Sequence, residues 1–227
     1  MSGFRWGRLI GSALFALCAG LLSMPPAAVA RDHGGSSNAP GRFDYYLLAL
    51  SWVPSYCLTH PDDTAECGSK GFGFVLHGLW PQNRNGDWIQ HCENDAVPDP
   101  ATIERTLAFM PSRSLIAHEW QTHGTCSGLD PKGYFNLADR AFASVKVPPA
   151  LTTPKSPPAL SAAEIVRGFI AANPRLDERM LNVVCHDGAE LTDVRICLDK
   201  QTLAPQACSG RVRNSCRSGP LQIPAAR

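Results

Sequence analysis

The sequence predicts an α+β fold: a single domain with a central antiparallel sheet, flanking helices and four disulfide staples. Three observations carry this. Apolar, strand-like runs occur near both ends of the chain, with helical patterns between them. A length of 227 residues, 44% hydrophobic and 18% charged, suits one large domain with a substantial core. Eight cysteines follow the first 30 residues, an even set that suits full pairing in an oxidising compartment.

The first 30 residues read as an address. Arg5 and Arg8 precede the apolar stretch Leu9–Leu22, and Ala28-Val29-Ala30 follows it. A basic start, a short apolar middle and small residues at the end are the parts of a secretory signal peptide, with cleavage expected after Ala30. The apolar stretch is short for a membrane anchor. No run beyond residue 30 reaches the roughly 18 apolar residues of a membrane span. Cleavage removes Cys18 and takes the formal charge from +1 to −1. Neither value fits a protein that holds nucleic acid by bulk charge, so any such activity must come from a local site. The mature chain is expected in the periplasm or the medium, free of the membrane and monomeric.

Residues 31–41 are a polar, Gly- and Ser-containing lead-in. Asp44–Trp52 is aromatic and aliphatic and predicts a buried strand ending near Pro54. Phe72–Trp80 predicts a second strand stopped by Pro81, and Asn83–Asp87 a turn. Residues 101–109 and 114–123 predict two short helices separated by Pro111, with Gly124 stopping the second. Tyr134–Val145 predicts a third. Residues 147–160 hold Pro148, Pro149, Pro154, Pro157 and Pro158 and predict an exposed loop. Ser161-Ala162-Ala163-Glu164 has the form of a capping box before Ile165, Val166, Phe169 and Ile170. Met180–Val184 and Leu191–Leu198 predict two strands, antiparallel across the turn Asp187-Gly188. About 65 residues follow the proline-rich loop and hold four of the cysteines, which favours one domain over two. Its expected extent is 42–220, with 221–227 as a tail.

Two segments concentrate chemistry: Phe74-Val75-Leu76-His77-Gly78-Leu79-Trp80-Pro81, and His118-Glu119-Trp120-Gln121-Thr122-His123-Gly124-Thr125-Cys126. The other histidines (His33, His60, His91 and His186) read as structural or surface residues. A zinc site on the second segment would need histidines at i and i+4. His118 and His123 are five apart, about 140° around a helix, so they do not share a face. No C-x-x-C pair occurs either, so no metal and no cofactor are expected. Glu119 does share a face with His123, at i+4. Two imidazoles on different elements plus a carboxylate are a minimal apparatus for metal-free RNA cleavage. One imidazole takes the ribose 2′-hydroxyl proton and the other, protonated, gives one to the departing 5′-oxygen.

These segments carry a resemblance. His77-Gly78-Leu79-Trp80-Pro81 and His118-Glu119-Trp120 with His123-Gly124-Thr125-Cys126 are similar to the two active-site blocks of the ribonuclease T(2) family of exported acid ribonucleases. Asp44–Trp52 with Tyr56-Cys57 resembles its opening strand. The resemblance runs from about residue 43 to Cys216. It implies an endoribonuclease of broad base preference acting on single-stranded RNA, giving 2′,3′-cyclic phosphates and then 3′-phosphates. It implies His77 as general acid, His123 as general base, Glu119 as a stabiliser of the pentacoordinate phosphate and His118 as a phosphate contact. Trp80 and Trp88 would form a base platform, with Gln82 bonding to the base. Of the 105 pairings open to eight cysteines, it implies Cys57–Cys67, Cys92–Cys126, Cys185–Cys216 and Cys197–Cys208.

One position departs from the family's common form, which has lysine where this chain has Thr122. A hydroxyl donates one hydrogen bond and brings no charge. Lys132 is the basic residue the sequence offers as a substitute. The departure also supports the main non-enzymatic alternative, an exported binding protein on a degenerate ribonuclease scaffold. Both histidines and Glu119 speak against that alternative.

Overall fold

The computed structural model describes residues 39–68, 70–87, 89–152, 158–210 and 212–225. The expected signal peptide, most of the lead-in, Trp88 and part of the proline-rich stretch lie outside the described residues.

The opening strand β1 (Tyr45–Trp52) runs directly into helix α1 (Val53–Thr59), with Pro54 in its first turn. Proline suits that position because its missing N–H would have no helical partner there. A single turn, α2 (Thr64–Cys67), follows, capped by the Asp63 carboxylate. Neither short helix is legible from periodicity, which needs more than two turns to register. Strand β2 (Phe74–Gln82) continues through Pro81 instead of stopping there. It lies at one edge of the sheet, whose order is β2-β1-β4-β3, and an edge strand tolerates a residue without an N–H.

Helices α3 (Pro100–Thr106) and α4 (Arg113–Thr122) are each capped by a side chain, Asp99 and Ser112 respectively. A 3₁₀ turn at Gly124–Ser127 follows α4, and helix α5 spans Pro131–Ala143. The proline-rich loop contains a short 3₁₀ turn, Pro149–Leu151, whose Leu151 is buried. Helix α6 (Ala162–Ala172) opens on the expected capping box, with both Ser161 and Glu164 contributing their bonds. The hairpin of β3 (Leu181–His186) and β4 (Glu190–Asp199) closes the sheet. Asp187 and Gly188 both take positive φ at its turn, a pair of angles natural to tight hairpins.

All four strands are antiparallel, and β1 is central, paired with β2 on one side and β4 on the other. Alternate side chains of β1 (Tyr46, Leu48, Leu50 and Trp52) face the main core. There they join Trp120 of α4, Tyr134 and Phe135 of α5 and Phe169 of α6. Tyr45 and Leu47 face the other way, with Cys197, and form the floor of an open cleft. The segment expected to be a tail is packed: Leu221 and Ile223 are buried, and the Trp52 indole donates to the Pro224 carbonyl. The disulfides are Cys57–Cys67, Cys92–Cys126, Cys185–Cys216 and Cys197–Cys208, the pairing the resemblance implies.

Candidate active site

A bulge in β2 creates the site. Strict alternation would put His77 on the face opposite Trp80. The β1–β2 register instead shifts between Ala49 and Leu50, so that Leu79 pairs with Leu48 and Leu76 with Leu50, both toward the core. Three residues of β2 span what two residues of β1 span, and Gly78 and His77 both fall on the face away from the core, where His77 lines a smaller pocket with Ser51, Glu66 and His118. Gly78 is required for a second reason. A Cβ there would collide with Glu119 Oε2 and Trp80 Nε1, so only a bare backbone lets the α4 carboxylate approach the strand.

Helix α4 delivers the other half. Glu119 points inward and is 1% exposed. His123 caps the helix C-terminus, its backbone N–H donating to the Glu119 carbonyl. This end of α4 is tied twice to the preceding loop, by the Cys92–Cys126 disulfide and by the bond from His91 N–H to the Thr122 carbonyl. His91 takes a φ of +51°, an uncommon conformation for a residue with a Cβ, to make that bond.

The Trp80 ring stands between the two imidazoles. Its centroid is 5.1 Å from the His77 ring, edge-on, and 5.1 Å from the His123 ring, near-stacked. Its N–H donates to Glu119 Oε2 at 2.7 Å. Glu119 Oε1 has no hydrogen-bond partner and lies 3.7 Å from His77 Nε2. Trp80 is therefore a strut of the site as well as an aromatic surface.

The electrostatics separate the two histidines. Burial works against charge on His77, but the hydrogen bond it donates to Asp193 and the fields of Glu119 and Asp193 outweigh it and hold the ring above its ordinary value. Burial works against charge on His123 too, and the imidazoles of His118, His77 and His91 add to it, lowering His123 to about 3. Burial pushes the Glu119 carboxyl up to about 7, against the pull of His77 and Trp80. Two imidazoles displaced in opposite directions are suited to acid–base work.

The remaining expected residues fall around this pair. His118 is exposed and lines the cleft, as do Thr122 and Gln82. The cleft has a volume of about 800 Å³ and runs from Gln82 past Trp80 to Arg195 and Arg213. Lys132 stands exposed on α5 and is not a lining residue. A cation that does line the cleft is Arg195 of β4, whose guanidinium lies 5.0 Å from the Trp80 ring centroid. Arg195 pairs across the sheet with Ala49, which in turn pairs with Gly78. Sequence reasoning missed Arg195 and its neighbour Asp193. Their signal was two charges at alternate positions of a strand, which an ordinary solvated sheet face also shows. Among the described residues, four buried polar side-chain atoms lack partners, and three of them (Glu119 Oε1, His123 Nδ1 and Arg195 Nε) belong to this site. Unpaired buried polar atoms clustered in a cleft are the ones a polar substrate would satisfy.

Such a site, with titratable and charged groups from β2, the end of α4 and β4 gathered around one aromatic ring, is that of an enzyme. The model of the Ribonuclease T2 family matches residues 43–208, and the chain belongs to that family. A ribonuclease of Aeromonas hydrophila is 47% identical over 98 residues, covering 43% of this chain and 44% of that protein. A probable ribonuclease of Haemophilus influenzae is 31% identical over 185 residues, covering 75% of this chain and 62% of that protein. The matched part thus spans less than two thirds of each relative. Among solved structures, the RNase-related protein of Calystegia sepium superposes with a TM-score of 0.66 at 26% identity. The match covers 82% of this chain and 98% of that one. RNase NT, solved in complex with 5′-AMP, shares the fold with a TM-score of 0.62 at 23% identity, covering 81% of this chain and 98% of that one.

Proposed function

We propose that the protein is an endoribonuclease that cleaves single-stranded RNA by acid–base transesterification. The carrying observation is the pair of imidazoles packed against Trp80, one raised above its ordinary value by its carboxylate neighbours and the other lowered by burial. Neutral His123 takes the proton of the ribose 2′-hydroxyl, which attacks the adjacent phosphorus. Protonated His77 gives its Nε2 proton to the departing 5′-oxygen, and a 2′,3′-cyclic phosphate forms. Water then attacks the cyclic phosphate with the histidine roles reversed: His77 takes a water proton, the P–O2′ bond breaks and His123 returns a proton to the 2′-oxygen, giving a 3′-phosphate. Glu119, protonated at acidic pH because it is buried, donates to a phosphoryl oxygen, and Arg195 supplies the positive charge that Thr122 does not. His118 contacts the phosphate from the exposed side of α4. Trp80 and Trp88 offer faces to the base and Gln82 a hydrogen bond, a mode that tolerates many bases. Four disulfides and the signal-like start support export to the periplasm or the medium.

The test is digestion of RNA and single-stranded DNA in excess EDTA, with analysis of end groups. RNA is cut, with cyclic phosphate appearing before 3′-phosphate, and DNA survives because it has no 2′-oxygen for His123 to deprotonate. Products with 5′-phosphates, loss of activity in EDTA, or DNA cleavage at a comparable rate overturn the reading.

A further inference from the structure

We propose that Asp193 is a positioning residue for the general acid: it holds the far side of the His77 imidazole, so that Nε2 is the nitrogen turned toward the leaving oxygen. This rests on the role just given to His77, and it adds a third group to the acid side of the site.

The geometry is a closed triangle. Asp193 Oδ1 lies 3.3 Å from His77 Nδ1. Ser51 Oγ lies 3.0 Å from the same nitrogen and donates to the same carboxylate oxygen at 3.0 Å. Ser51 and Asp193 are direct cross-strand partners on β1 and β4, so the rigid sheet sets their spacing. The bulge that turns His77 to this face places its Nδ1 over them. Nδ1–H then donates toward Ser51 Oγ and Asp193 Oδ1, which fixes the tautomer and leaves Nε2 free. The second carboxylate oxygen of Asp193 faces the Arg195 guanidinium at 3.5 Å.

Asp193 is buried, and burial alone would favour its neutral form. The bonds from His77 and Ser51 and the charge of Arg195 outweigh burial and keep the carboxyl below its ordinary range. An ionised, immobile carboxylate is what an acid imidazole needs behind it. When the P–O5′ bond breaks, the Nε2 proton moves to the 5′-oxygen and the imidazole is left neutral, with Nδ1–H still directed at the triangle. No further proton or co-reactant is required, and solvent returns the Nε2 proton at acidic pH.

Other groups also act on His77. Glu119 and His118 come from α4, His123 from its end, Glu66 from α2, and Arg195 from β4 beside Asp193. Glu119 is the second carboxylate on the ring, so Asp193 must be tested with Glu119 intact.

The variants are Asp193→Asn, which keeps shape and removes charge, and Asp193→Glu, which restores charge. The readouts are the pH profile of kcat/KM on RNA and the NMR titration of the His77 ring. In Asp193→Asn the His77 titration and the alkaline limb of the profile both move to lower pH. Each unit of movement costs tenfold in rate on the alkaline side, while the acid side changes much less. Asp193→Glu restores the limb at least in part. A uniform loss at every pH with an unmoved His77 titration, or a wild-type profile, overturns the proposal. If the His77 titration moves but the limb does not, Asp193 holds the ring as proposed and it is the assignment of His77 as general acid that fails. Should Asp193→Asn not fold, Ser51→Ala supplies the same comparison, with a smaller movement in the same direction.

Discussion

Replacing Glu119 with glutamine should make the protein more stable at neutral pH and far less active. The carboxyl is 1% exposed, and burial raises it from 4.5 to about 7. A carboxyl raised on folding destabilises the fold only where it must ionise. That cost is absent below the unfolded value, grows as pH rises between the two values, and is complete above the folded one. At 1.36 kcal/mol per unit it amounts to about 3 kcal/mol above pH 7. Glutamine keeps an acceptor for the Trp80 N–H but adds amide hydrogens near His77, and the field that favours the charged His77 is lost. An imperfectly paired amide costs about 1 kcal/mol, leaving a net gain of about 1–2 kcal/mol at pH 8 and none at pH 4. For a domain of this size that raises Tm by about 2–8 °C at pH 8. Urea unfolding at both pH values measures the difference, and turnover on RNA at pH 5 should fall about 10²-fold or more. A variant equally or less stable than wild type at pH 8, or one that retains turnover, would refute the placement of a strained catalytic carboxyl at this position.

Alanine at His77 or His123 should each lower kcat about 10²–10⁴-fold, and the double variant should lose less than the sum in free energy because the pair acts as a unit. The pH profile should be bell-shaped, and His118→Ala should move its acid limb to higher pH, since removing a neighbouring imidazole lets the lowered His123 rise; an unmoved limb would separate His118 from the base. Gly78→Ala should retain the secondary structure by circular dichroism while turnover falls more than tenfold, because a methyl group there displaces Glu119 and Trp80. Cys92→Ser with Cys126→Ser should cost about 2–5 kcal/mol in chemical unfolding, the usual range for a native bridge, and should reduce turnover through the freed end of α4.

The elements that sequence reasoning placed well are those whose pattern is local. The continuous apolar run of Tyr45–Trp52, buried on both faces, the capping box at Ser161 and the turn at Asp187-Gly188 each depend on residues a few positions apart. That His77, Glu119 and His123 gather around Trp80 was visible for a related reason: they lie in two short, dense segments. What sequence could not carry was anything set by register between distant strands. The bulge opposite Ala49 and Leu50 puts His77 and Trp80 on one face, although their separation in sequence puts them on opposite faces. The pairing of Ser51 with Asp193 joins residues 142 positions apart. The position of Arg195 beside Trp80 depends on where β4 lies in the sheet, whereas Lys132, nearer in sequence, does not line the cleft. Hydrophobic alternation specifies that a strand is buried and which side chains share a face. It does not say which other strand lies alongside, and the charges that complete this site come from that neighbour.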